Sequence, residues 1–295
     1  MKFRARRLRH NILAIVYDFD GTLTPQPMQE YTVLPEIGIK KSSKFWNEVK
    51  RENKKWGGEE IVTYMRLMIQ YAEKSDFPVT RQRLGGLAHR IKFFPGVPTY
   101  FDRVNDYVKK KTNGNIRLRH YIISSGLKEI LNRIKIRKRF HKIFACEYWY
   151  DLYKAARFPL IVVNDTLKTQ FLFRINKGRE RLDQNINEYM PLKERPIPFR
   201  NILYIGDGLT DVPCMTVTTK QGGYAIAVYK SGSARGLATC RELLAAARVD
   251  FIAKADYSKG SPLDSVIKII LDTMIQGVYI NDVRYREYLK HLKGR

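Results

Sequence analysis

The sequence predicts an α/β protein built on a parallel sheet with helices on both faces. Three observations carry this reading. Short apolar runs rich in β-branched and aromatic residues recur along the chain, and from residue 93 onward they alternate with stretches of helical periodicity. Several of those runs end in Asp, Ser or Gly, the residues that turn the chain at a strand's end. Between residues 25 and 92 the strand signals fade and helical periodicity takes over, so a small helical unit is expected as an insert after the first strand.

The first predicted strand is Ile12-Leu13-Ala14-Ile15-Val16-Tyr17, apolar on both faces and therefore central. It runs directly into Asp18-Phe19-Asp20-Gly21-Thr22-Leu23-Thr24, which places two carboxylates at its carboxyl end. Ligands bind at that edge of open α/β sheets, and two acids there are costly unless something positive joins them. A divalent cation together with a phosphate meets that need. In the insert, residues 43–56 read as a helix ended by Gly57-Gly58, and Ile61, Tyr64, Met65, Met68, Ile69 and Ala72 mark one face of a second. Thr80 is expected to cap a third helix reaching Ile91. Trp46, Trp56, Met65 and Met68 are read as the insert's own core.

Phe93-Phe94-Pro95-Gly96-Val97-Pro98 launches a helix through Val108, and His120-Tyr121-Ile122-Ile123 is the second strand. Ser124-Ser125-Gly126 then turn into a helix starting at Leu127, which would offer hydroxyl and backbone donors to an anion. Arg133, Lys135, Arg137, Lys138 and Arg139 fall on that expected helix. Residues 142–150 and 160–163 read as strands joined by a turn over 151–159. Asn164-Asp165-Thr166 opens a helix that continues to Gly178, with Lys168 in its first turn. A cation there opposes the helix dipole and needs an acid or anion beside it.

Residues 179–200, with Pro191, Pro196 and Pro198, read as a long loop. The strand over 201–205 ends in Gly206-Asp207-Gly208-Leu209-Thr210-Asp211, so Asp207 belongs at a strand tip and Asp211 one turn into the next helix. A strand over 224–228, a helix over 234–246 and a strand over 250–255 follow. Ser261, Pro262 and Asp264 open another helix, and residues 283–292 form a last, separate one.

Composition narrows the function classes. The 295 residues carry 54 Lys and Arg against 29 Asp and Glu, a formal charge of +25 that attracts phosphorylated metabolites, nucleic acid or acidic surfaces. Residues 109–142 hold twelve basic residues and a single acid, Glu129, which keeps a nucleic-acid or other polyanion partner in view. Cys146, Cys214 and Cys240 have no paired spacing, which argues against a disulfide framework or zinc site and for a reducing, cytoplasmic setting. The basic segment over residues 1–10 leads into acids rather than a cleavage site, so it reads as a solvated arm of the mature protein. No apolar stretch approaches a transmembrane length.

The ordered set resembles the haloacid dehalogenase (HAD) superfamily of phosphohydrolases over residues 12–275. Asp18-x-Asp20-Gly21-Thr22 is similar to the superfamily's first motif, Ser124 to its second, Lys168 to its third and Gly206-Asp207-Gly208-x-x-Asp211 to its fourth. The helical insert resembles the C1-type cap of the phosphoserine phosphatase-like branch. The resemblance implies a Rossmann-like three-layer core over residues 1–24 and 93–295, and a cap over 25–92. It also implies hydrolysis of a small phosphomonoester with Mg²⁺. Asp18 would be the nucleophile that forms an aspartyl-phosphate, and Asp20 the general acid/base. The Asp18 and Asp207 carboxylates and the Asp20 backbone carbonyl would hold Mg²⁺, with Asp211 orienting that shell or Lys168. Ser124, Ser125, Gly126 and Lys168 would grip the phosphoryl group. Thr22 is placed in the same phosphate-binding loop, which it would steady. The chain departs from phosphoserine phosphatases at Gly21, Ser125 and Pro27, where they usually carry Ser, Gly and, near the last, a substrate-reading Glu. Those departures leave the substrate's alcohol unspecified. A phosphatase acting on nucleic-acid ends or docked on a polyanion, and a non-enzymatic anion-binding protein on the same fold, are the alternative readings.

Overall fold

The computed structural model describes residues 8–292. The basic arm read from the sequence falls almost wholly on residues 1–7, outside the described residues. Seven strands form one sheet in the order β4-β3-β2-β1-β5-β6-β7. They are β1 (Ile12–Tyr17), β2 (Arg117–Leu127), β3 (Lys142–Tyr150), β4 (Ala156–Ile161), β5 (Ile202–Gly206), β6 (Tyr224–Tyr229) and β7 (Phe251–Lys254). All six residues of β1 are buried, as an all-apolar strand between two parallel neighbours must be. Its register pairs Ile12 with Arg117 on β2 and Ala14 with Ile202 on β5.

Every adjacent pair is parallel except β3 and β4. The strand expected over residues 160–163 begins instead at Ala156 and runs antiparallel, because the turn over 151–155 is too short for a crossover. Pro159 is tolerated because β4 is the sheet's edge.

Helices α1 (Met28–Tyr31), α2 (Val33–Glu36), α3 (Ser42–Trp56), α4 (Glu60–Lys74) and α5 (Arg81–Gly86) fill the interval between β1 and α6 (Val97–Lys111). Gly57, left-handed at φ 61°, ends α3, and the Thr80 hydroxyl caps α5 through the Arg83 N–H. Phe45, Tyr64, Met65 and Met68 are buried in the insert, whereas Trp56 is 70% exposed and takes no part in that core.

Three expectations for the main unit need correction. No long helix follows Ser124-Ser125-Gly126. β2 continues to Leu127, with a register shift against β3 between Ser124 and Leu127, and α7 (Lys128–Leu131) is a single turn. Ile134 and Ile136 are both buried with Lys135 exposed between them, an alternation that no helix face can satisfy. Asp211 ends a short 3₁₀ turn rather than sitting inside α9 (Val212–Lys220). The last two expected helices are one, α11 (Pro262–Leu292), because Gly277 lies within it without stopping it.

Right-handed crossovers decide the layers. The path from β1 outward to β2 puts α6 on one face, and α11 joins it there through the Arg103–Asp264 ion pair and the Tyr107–Asp272 hydrogen bond. The return from β4 to β5 puts α8 (Asp165–Lys177) on the other face, where it packs beside α9. Helix α10 (Ala234–Ala245) packs on β6 and β7. Cys146, Cys214 and Cys240 are all buried and free. Among the described residues no helix is long and apolar enough to cross a membrane.

Candidate active site

The parallel strands deliver four acids to one edge of the sheet. The Asp18 N–H donates to the Ile205 carbonyl at 2.9 Å, tying the tip of β1 to β5 and holding Asp18 near Asp207. Lys168 comes from the first turn of α8, whose start is set by the Asn164 side chain accepting the Leu167 N–H at 3.0 Å. Its Nζ donates to Asp18 Oδ1 at 2.9 Å and to Asp211 Oδ1 at 2.8 Å. Those two carboxylates offset the unfavourable helix dipole and make a buried ammonium tenable. Lys168 is 1% exposed, and although burial alone would depress its pKa, Asp18 and Asp211 hold it well above the ordinary value.

Asp211 is fully buried and both its oxygens are engaged. Oδ1 also accepts from the Tyr204 hydroxyl at 2.7 Å, and Oδ2 accepts the Asp207 N–H at 3.1 Å. It thereby fixes both Lys168 and the Asp207 loop. Burial raises the Asp18 carboxyl to about 6 against the pull of Lys168. Asp20 is pushed well above the ordinary carboxylate range by burial and then by the charge of Asp18, and its Oδ1 accepts the Met28 N–H at 2.8 Å. Asp207 is raised in the same way by burial and by the charges of Asp18 and Asp211.

Carboxylate oxygens of Asp18, Asp207 and Asp211 lie within 4.8 Å of one another. With Asp20 alongside, four acids face one ammonium, and Asp207 has no cationic partner among the described ion pairs. An all-oxygen set with that excess of negative charge fits a hard divalent cation such as Mg²⁺. Because the oxygens of Asp211 are already committed, Asp18 and Asp207 are the carboxylates with capacity left for one.

Ser124 is also at this edge and 1% exposed. Its Oγ accepts the Gly126 N–H at 2.9 Å, and the Leu127 N–H meets Met28 Sδ at 3.2 Å. Those two N–H groups are therefore engaged within the protein, and the one-turn α7 supplies no helix terminus for an anion. Ser125 turns its carbonyl to the Tyr64 hydroxyl of α4 at 2.6 Å. Thr22 is completely buried, its carbonyl held by the Tyr257 hydroxyl at 2.9 Å while its own hydroxyl has no partner.

Sequence reading missed the groups that the insert lays over the site. Met28 reaches Asp20 and the 124–127 strand end, Gln29 is 3% exposed with its side-chain oxygen unpartnered among the described residues, and Tyr64, on an apolar helix face in the sequence, donates its hydroxyl to the Ser125 carbonyl. Helix α1 is one turn long, too short for periodicity to reveal. A recess of about 320 Å³ opens between the start of α4 and the start of α8, lined by Glu59, Glu60, Asp165 and Thr210 among others.

No family model matches the chain. A protein of Borreliella burgdorferi (strain ATCC 35210 / DSM 4680 / CIP 102532 / B31), itself uncharacterized, is 32% identical over 279 residues, covering 86% of this chain and 95% of that protein. A HAD family hydrolase from Salmonella enterica subsp. enterica serovar Typhi superposes with a TM-score of 0.54 at 18% identity, over 83% of this chain and 68% of that one. A phosphoserine phosphatase solved as a phospho-aspartyl intermediate analogue gives a TM-score of 0.53 at 16% identity, over 87% of this chain and 98% of that one. The chain thus has the HAD fold in its phosphoserine phosphatase-like form, and it belongs to one family with the Borreliella burgdorferi protein.

Proposed function

We propose that the protein is a Mg²⁺-dependent phosphatase of a small phosphomonoester, working through an aspartyl-phosphate. The observation that carries this reading is the Lys168 ammonium clamped between Asp18 and Asp211 at the tip of the central strand, with Asp20 two residues beyond the nucleophile position. In the first step an Asp18 carboxylate oxygen attacks phosphorus, the bond from phosphorus to the ester oxygen breaks, and Asp20 gives its proton to the departing alkoxide. An acid held above the ordinary carboxylate range is suited to carry that proton at neutral pH. In the second step Asp20 takes a proton from water, the water oxygen attacks phosphorus, and the Asp18 carboxylate is released with inorganic phosphate.

Lys168 steadies Asp18 and faces the phosphoryl oxygens, the Ser124 hydroxyl adds a donor, and Asp211 orients Lys168. Asp18 and Asp207, with the Asp20 backbone carbonyl, would hold Mg²⁺, which supplies positive charge to the phosphoryl oxygens when bound. Residues 25–92 are proposed as the cap over a core of residues 1–24 and 93–295. The acids Glu59, Glu60 and Asp165 around the recess repel a polyanion, which supports a small ester over a nucleic-acid end.

The test is phosphate release from a panel of small phosphate esters and from 3′- and 5′-phosphorylated oligonucleotides, with Mg²⁺. Asp18→Asn should lower turnover of the small esters by about 10³-fold or more, and Asp20→Asn by about 10²- to 10⁴-fold. Turnover of the oligonucleotides alone would move the reading to nucleic-acid ends. Wild type no faster than Asp18→Asn on every compound would end the enzymatic reading.

A further inference from the structure

The edge of the sheet opposite Asp18 holds a second feature, about 20 Å away along the six residues of β1. There, just before β1 and β5, a cavity of about 270 Å³ is lined by Arg9, His10, Lys193, Arg200, Asn281 and Tyr285, with Leu192 at its side. Its walls bring three permanent cations together and contain no carboxylate. None of the three pairs with an acid among the described ion pairs, although Arg179 and Arg181 in the same long loop each do.

Arg9 and Arg200 are held in place rather than left loose. The Arg9 guanidinium donates to the Lys193 carbonyl at 2.9 Å and lies 4.2 Å from the centre of the Tyr285 ring. His10 Nε2 contacts the same carbonyl at 3.1 Å, and Arg200 approaches His10 Nδ1 at 3.3 Å. That pattern assigns the neutral Nε2–H tautomer. Asn201 fixes the His10 carbonyl at 2.8 Å. Burial, and after it the neighbouring Arg200 and Arg9 charges, lower the His10 pKa against the pull of the Lys193 carbonyl, and burial lowers that of Arg200. Cations so gathered repel one another, and an anion between them relieves the repulsion.

The basic surface extends past the cavity. Arg117 opens β2 directly beside Asn11 and Ile12, is exposed, and has no acid partner among the described ion pairs. One free phosphate could not engage this many charges, whereas a strand with repeating phosphates could. Tyr189, 84% exposed in the same loop, offers a ring on which a base can stack.

We propose that this pocket, with Arg117 beside it, seats phosphates of a single-stranded nucleic acid. The site is separate from the phosphatase reading and is measured without turnover. The experiment is fluorescence anisotropy of a labelled 12-nucleotide single-stranded RNA, titrated with the full chain at several salt concentrations. The variant Arg9→Ala/Lys193→Ala/Arg200→Ala should bind about tenfold or more weakly at 0.1 M salt, with the slope of log K against log salt reduced by about 2. The control Lys40→Ala/Lys41→Ala/Lys44→Ala removes the same charge around the start of α3 and should change affinity less than about twofold. Thermal melting checks that both variants fold. Should the triple variant melt early, Arg200→Gln alone carries the test with about a threefold loss.

Equal losses in pocket and control variants would assign binding to net charge and overturn the proposal. So would no binding by wild type at 50 mM salt. A pocket-dependent rise in melting temperature with inorganic phosphate, without RNA binding, would replace the nucleic acid by a small phosphorylated anion and likewise overturn it.

Discussion

Gly21 sits against the Asp207 carboxylate in the turn that follows β1. Its φ is +82°, and a Cβ there would lie 2.1 Å from Asp207 Oδ2. Gly21→Ala should therefore cost about 1–3 kcal/mol in a urea melt and displace Asp207. The displacement should show as a weaker rise in melting temperature on adding Mg²⁺. An unchanged Mg²⁺ response would show that the Asp207 carboxylate is not set by this contact. His120 gives a second residue-scale prediction. It is fully buried against Tyr17 and Tyr100, with its Nε2 unpartnered, and burial depresses its pKa to about 3. The Tyr17 hydroxyl lies 3.0 Å from His120 Nδ1 and donates to the Tyr100 hydroxyl, which places the imidazole proton on Nδ1. The folded pKa is below the unfolded one, so the unfolded chain binds the extra proton first as pH falls. Stability from this group is complete above pH ~6.5 and lost toward pH ~3, by about 3 kcal/mol at pH 4. His120→Gln should lose correspondingly less stability than wild type between pH 7 and pH 4, and parallel losses would refute the assignment.

At the scale of elements, hydrogen bonds run between insert and sheet edge in both directions. The Tyr64 hydroxyl of α4 bonds the Ser125 carbonyl, and the Tyr148 hydroxyl of β3 bonds the Met65 carbonyl. Tyr64→Phe removes one bond worth about 1 kcal/mol, so the KM for a small ester should rise about fivefold with little change in melting temperature. Steady-state kinetics that leave KM unmoved would separate this bond from substrate closure. The strands β1, β5 and β6 were legible to within a residue because each is apolar on both faces and short. Asp18, Asp20, Lys168, Asp207 and Asp211 were each legible at a strand end or helix start from turn signals, and the family resemblance of their ordered motifs joined them into one site. The basic stretch after β2 misled because Ile134 and Ile136 alternate with cations, a period easily lost in a charged run. Met28, Gln29 and Tyr64 could not be read as site residues, since their contacts depend on how the insert folds back over the sheet.

The whole molecule carries its charge unevenly. Four carboxylates converge at the edge that ends in Asp18 and Asp207, while Arg9, Arg117, Lys193 and Arg200 gather at the opposite edge within a chain of net charge +25. A surplus of that size destabilises the compact state by self-repulsion, which salt screens over about 10 Å at 0.1 M. The melting temperature in a phosphate-free buffer should therefore rise as sodium chloride goes from 0.02 to 0.3 M. A fall over that range would mean that the ion pairs between surface groups outweigh the repulsion. The sheet order also sets a schedule for synthesis. β1 lies between β2 and β5, and Lys168 meets Asp18 across 150 residues. As the ribosome extends the chain, β1 can zip to β2 once residue 127 has emerged, yet its other side stays open for some 80 residues more. During that interval an apolar strand edge is available to chaperones or to another nascent chain. The acid cluster closes only once β5 and the turn over residues 207–211 arrive, so assembly of the site reports that the central strand is paired on both sides.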